Sequence, residues 1–207
     1  KNYSRSVEMY TRALRVKTDD YASYYEMGKS YDAAGNDEKA AECYRKAIDL
    51  NPKDIKAVIN LGAIYSRKGE YEKAIGLYRT AASQNPESFT AHHNLANAYR
   101  ESKQYAPAIE EYKTALRIKP GDAQTLFFLG IAYRDSGNYA DAALSFEKSL
   151  AADGSLYDAH EELGMIYYRK IKNKEKALQH FEKLLSVKPN HPRASEIRNI
   201  ISALKNN

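Results

Sequence analysis

An all-α fold, a solenoid of stacked helical hairpins, is predicted by three observations. A small residue returns every 34 positions, at Gly28, Gly62, Ala96, Gly130 and Gly164, and a tyrosine follows three residues after each, at Tyr31, Tyr65, Tyr99, Tyr133 and Tyr167. Alanine then recurs at Ala40, Ala74, Ala108, Ala142 and, one residue late, Ala177, with an aromatic four further on at Tyr44, Tyr78, Tyr112, Phe146 and Phe181. Each frame closes on Pro52, Pro86, Pro120 or Pro189, with Gly154 standing in once.

Within a frame the apolar residues keep three- and four-residue spacings on two successive segments, as in Val58, Leu61, Gly62, Tyr65 and then Ala74, Leu77, Tyr78, Ala81, which is helical periodicity twice over. Residues 1–20 carry Tyr3, Tyr10 and Ala13 in the phase of a second helix, so the chain is expected to begin partway through a repeat. Full hairpins are expected at 21–54, 55–88, 89–122, 123–156 and 157–191, the last with one inserted residue. Gly35, Gly69 and Gly137 mark the break between the two helices, where a left-handed residue ends the first; Lys103 and Asn173 take that place in the other two repeats. The closing proline cannot continue the second helix and turns the chain into the next hairpin. Over 192–207, Pro192 opens a last helix whose Ala194, Ile197, Ile200, Ile201 and Leu204 form one apolar stripe, while Arg198 and Asn199 stand where a full repeat would carry Leu and Gly. That helix is expected to cap the stack.

Leu61-Gly62-x-x-Tyr65, Ala74-x-x-x-Tyr78-x-x-Ala81 and Pro86 resemble the tetratricopeptide repeat (TPR), whose period is about 34 residues. The resemblance implies a right-handed superhelical solenoid of TPR hairpins. It also implies that one face of the first helices lines a concave groove for partner peptides.

Composition excludes several functions. The unbroken period makes a single array without linkers the expectation. No run of about 18 apolar residues is present, so membrane insertion is not expected. The net charge of +5 is dispersed along the repeats, which argues against nucleic acid as a partner. Cys43 is the single cysteine and reads as a structural thiol beside Tyr44. The five histidines are scattered: His92 and His160 share a packed slot, and His93 diverges from His92 by about 100° around the helix, so no metal site and no cofactor is expected. Glu161 and Glu162 are neighbours on one helix face and not a pair across a cleft, and Gly76 and Gly121 are isolated positions, not a phosphate loop. No catalytic group emerges.

Counting slots from the start of each frame, slots four, seven, eight and eleven of the first helix share the packed side, and slots two, five, six, nine, twelve and thirteen the opposite one. Most of the 18 tyrosines fall in packed slots, leaving Tyr25 and Tyr168 over. The candidate peptide-binding residues on the opposite stripe are Tyr25, Lys29, Asn60, Arg67, His93, Asn94, Asn97, Arg100, Phe127, Phe128, Arg134 and Tyr168. Asn60 and Asn94 share slot six, where an amide can both give and accept hydrogen bonds with a ligand backbone. That is similar to the asparagine ladder of O-linked N-acetylglucosamine transferases, although Phe128 and Glu162 take the next two rungs. Phe127 and Phe128 cannot both face one side of a helix, so one of them is expected to be open to a ligand. Arg67, Arg100 and Arg134 recur near the ends of successive first helices and favour an extended segment with acidic residues. The carboxylate clamp some family members use for chaperone tails is only a fragment, because Lys29 and Asn60 are present while Thr90 and Asn94 replace its last cations.

The leading expectation is therefore a non-enzymatic adaptor binding a peptide or protein in a groove. Two other classes stand beside it: a substrate-recruiting segment of a larger enzyme, and a self-assembling structural protein whose groove or N-terminal end docks on another copy.

Overall fold

A computed structural model describes residues 3–206. Among the described residues there are helices and turns only: α1 (Tyr3–Val16), α2 (Tyr21–Ala33), α3 (Asp37–Leu50), α4 (Ile55–Arg67), α5 (Tyr71–Gln84), α6 (Phe89–Glu101), α7 (Tyr105–Ile118), α8 (Ala123–Asp135), α9 (Tyr139–Ala152), α10 (Asp158–Ile166), a π-helical turn (Tyr167–Ile171), α11 (Lys174–Val187) and α12 (Ala194–Asn206). The chain divides between Gln104 and Tyr105 into two compact units. That division falls between the two helices of the third repeat, where the sequence led us to expect an uninterrupted array.

In the first unit α2 packs on α3 and α4 on α5, and the hairpins are joined by α3 against α4 and α5 against α6. The core is assembled from slots: Ala40, Ala74 and Ala47 lie at 0% exposure beside the large rings of Tyr44 and Tyr78. Gly62 has no Cβ because one would stand 2.7 Å from the Tyr78 ring. The second unit repeats the device. A Cβ on Gly130 would meet Phe146 at 2.7 Å, and Phe146 and Phe181 are themselves fully buried. Along the apolar stripe of α12, Ile197 and Ile200 close the core of this unit, with Ile201 and Leu204 against it. The helix begins at Ala194, two residues later than the sequence suggests, because Pro192 lies in the preceding turn.

Helix starts are fixed by capping side chains at the same 34-residue period. Asp20, Asp54, Ser88 and Asp122 each accept a hydrogen bond from a backbone N–H of the helix that follows, satisfying one of its orphan donors. Between helices Gly35, Gly69 and Gly137 have positive φ, and Lys103 adopts it as well, at 62°. In the fifth repeat the left-handed residue is Lys172 (φ 61°), not Asn173. Asn173 instead caps α11 by accepting from the Lys176 N–H. The inserted residue is absorbed just upstream, by the π-helical turn that widens the end of α10.

α1 packs on α2 but contains no buried residue, and leaves Met9 and Val16 exposed. Cys43 is buried, and burial pushes its thiol up to about 11, the behaviour of an inert packing residue.

Candidate functional site: amide-lined clefts between first helices

α4 and α6, the first helices of consecutive repeats, touch directly. Between them a cleft of about 380 Å³ opens on the stripe of slots six, nine, twelve and thirteen. Its floor is apolar, from Ala63, Ala98 and the rings of Tyr71 and Tyr78; its polar groups are Ser66, Asn94 and Asn97, with Arg67 and Glu101 at the rim. One repeat earlier the equivalent cleft, about 460 Å³, is lined by Tyr25, Lys29, Asp32, Ala33, Tyr44 and Asn60. The first unit thus gathers Tyr25, Lys29 and Asn60 in one cleft, and Arg67, Asn94 and Asn97 in the next.

The two slot-six amides differ in state. Asn60 donates through Nδ2 to the hydroxyls of Tyr25 (3.4 Å) and Tyr44 (3.3 Å), so both its protons are spent on the preceding repeat. Burial holds the Tyr44 phenol well above its ordinary range, which keeps the hydroxyl neutral as a partner. The Asn94 side chain makes no hydrogen bond to any described residue, although it is half-buried. Two replacements account for this. Ile59 stands where Tyr25 does one repeat earlier, removing one acceptor, and Ser66 stands where Asp32 does and reaches the Tyr78 hydroxyl itself. Asn94 therefore presents two donors and an acceptor to the cleft.

The arginines expected to draw acidic residues are already paired. Arg67 bridges Asp32 and Asp37, both at 2.6 Å, and these interactions hold its guanidinium above its usual value. The Arg100 side chain is only 16% exposed and meets Glu101 at 2.6 Å. Arg134 joins Asp135 at 2.8 Å and Glu162. Lys29 pairs with Glu26 at 2.9 Å and lies over the Tyr25 ring. His93 stacks on Phe89.

In the second unit Phe127 turns inward, its ring 5.4 Å from that of Phe146, while Phe128 is half-buried with its edge toward Phe127. Tyr168 packs at the margin of the core. Glu161 and Glu162, read as a polar face, are tied down as well, Glu161 by Arg193 at 2.6 Å and by His191. A pair that slot counting did not foresee is His160 and His180, whose Nδ1 atoms are 2.9 Å apart. Their slots place them on α10 and α11 of one hairpin, a proximity readable once the inserted residue is located. Among the described residues no group of three or more His, Cys, Asp or Glu is placed to hold a metal ion, and no helix is long and apolar enough to cross a membrane.

A profile described as tetratricopeptide repeat matches residues 59–123 and 129–195, more than half of the chain, and a second, described as TPR repeat, matches residues 28–69. The chain belongs to the tetratricopeptide-repeat family. Among solved TPR structures it resembles YrrB, a TPR protein with an unusual peptide-binding site, at 23% identity over 93% of this chain and 99% of that one, with a TM-score of 0.79. MamA from Desulfovibrio magneticus RS-1 is similar at 20% identity, covering 83% and 96%, with a TM-score of 0.77. Pseudomonas aeruginosa PilF is similar at 15% identity, covering 96% and 99%, with a TM-score of 0.75. At these identities the likeness is one of fold. No curated protein matches the chain significantly.

Proposed function

We propose that this TPR chain is a non-enzymatic interaction scaffold that holds an extended peptide in the cleft between α4 and α6. The observation that carries the reading is Asn94: a half-buried amide without a partner among the described residues, over an apolar floor, on the side of the repeat that a ligand can reach. An amide so placed exchanges two hydrogen bonds with a peptide backbone whatever the ligand's side chains, while Ala63, Ala98 and Tyr78 receive one apolar side chain. YrrB, a TPR protein with an unusual peptide-binding site, is in keeping with such a use of the fold.

Acidic residues in the ligand contribute less than the arginine spacing alone suggests, because Arg67, Arg100 and Arg134 would have to give up existing ion pairs. Affinity then depends weakly on salt. Phe128, on the second unit, is a separate apolar contact in this proposal.

The test is selection of peptides from a random library on the intact chain, followed by titration of variants. Asn94→Ala should weaken the selected peptides by about 1–2 kcal/mol with helical content unchanged. Asn60→Ala, which removes a bond internal to the protein, should lower stability and affect affinity little. Equal affinity for the Asn94→Ala and parent chains would sink the proposal.

A further inference from the structure

A different face of the second unit carries a leucine-lined trench. Over α8, the second helices α7 and α9 flank a trench of about 310 Å³. Its walls and floor are leucines: Leu116 from α7, Leu126 and Leu129 from α8, and Leu144 from α9, which is 47% exposed, unusual for a leucine this close to a core. Arg117 and Lys148 stand on the two walls. The guanidinium of Arg117 has one hydrogen bond among the described residues, to the Thr114 hydroxyl at 3.1 Å, and Lys148 has none. Lys113 adds a third cation, paired with Glu110 at 2.9 Å. The one carboxylate on the lining, Asp141, accepts from Asn138 at 2.6 Å and sits two helical turns from Lys148.

Ridge positions on a repeat's outer helices are ordinarily polar and mutually paired. Here two cations without an ion pair bracket an exposed leucine, whereas the corresponding helix of the next repeat, α11, keeps a lysine, Lys183, but adds Glu175 and Glu182 to the lining of its own cleft. The trench thus owes its charge balance to these helices and not to the repeat. We infer that it docks a short amphipathic segment of a protein partner, carrying a leucine-sized anchor flanked by acidic residues. The anchor covers Leu116 and Leu144, and the carboxylates pair with Arg117 and Lys148, which need break no ion pair to receive them.

The probe is a random twelve-residue peptide library displayed on phage, selected on the intact chain at low salt, with fluorescence anisotropy of the enriched peptides. Enriched sequences should include a class with Asp or Glu around Leu, Ile or Met. Its affinity should fall on the order of tenfold or more for Leu144→Glu and for the double variant Arg117→Glu/Lys148→Glu, fall with added salt, and stay unchanged for Asn94→Ala. All the altered side chains are exposed or half-exposed, and circular dichroism checks that each variant is folded. The independence from Asn94 separates this surface from the α4/α6 cleft. No acidic-apolar class, or one indifferent to both variants, overturns the inference. So does capture of phosphatidylserine vesicles or single-stranded RNA by this face in place of peptide, or a dimer that dissociates in Leu144→Glu, which would make a second copy the occupant.

Discussion

Asn60 and Asn94 occupy one slot of consecutive repeats, yet only the second is open, and the difference lies in neighbours that a slot count does not weigh. Restoring the earlier neighbours should close it: Ile59→Tyr together with Ser66→Asp should draw the Asn94 amide toward intramolecular partners and reduce peptide affinity, read by titration with a selected peptide. Gly130 leaves no room for a side chain, since a Cβ there would lie 2.7 Å from the Phe146 ring. Because the Phe146 ring it faces is fully buried, Gly130→Leu should cost about 1–3 kcal/mol by overpacking, measured by denaturant unfolding. An unchanged midpoint would mean that the ring can move aside. His160 and His180 bring a pH dependence. Burial and the neighbouring His160 push His180 down to about 4, burial and then Lys183 lower His160, and Lys176 opposes Glu147 near His180. The unfolded chain takes up the His180 proton near pH 6.5 and the folded chain only near 4, with His160 shifted in the same direction, so stability is full above about 6.5 and is lost as pH falls through that window. For His180 the loss is on the order of 3 kcal/mol at the acid end, and His180→Phe should flatten that limb of a stability-against-pH curve.

At the scale of helices, almost everything regular was legible in the sequence. The two-helix period, the glycine breaks and the proline stops all follow from spacing, because each repeat must solve the same packing problem with the same slots. Tyr25 shows where legibility ended: left over by slot counting, it stacks on Tyr21 and accepts from Asn60. The capping residues Asp20, Asp54, Ser88 and Asp122 carry the period too, but as mixed residue types, so a search for identical letters passes over them. Arg67 and Arg134 were read as ligand-facing because spacing gives direction and not partners; the carboxylates that hold them come largely from neighbouring helices. Lys103 takes a left-handed conformation that glycine adopts in three other hairpins. Lys103→Gly should therefore be neutral or stabilise by up to about 1 kcal/mol in thermal unfolding, whereas Lys103→Val should destabilise. In α1, which buries no residue, amide exchange should be faster than in α4 or α5.

Across the whole molecule the helical frame is a holder, and the proposed recognition falls to a few side chains that the frame leaves without partners. Asn94 is the open amide and Asn60 the closed one, and both can be watched together. In a titration of the isotopically labelled chain with a library-selected peptide, followed by the side-chain NH₂ resonances in nitrogen–proton correlation spectra, the Asn94 pair should shift progressively to saturation. The Asn60 pair, held by Tyr25 and Tyr44, should stay near its starting position. Saturation with Asn94 unmoved, or with Asn60 shifting in its place, would contradict the claim.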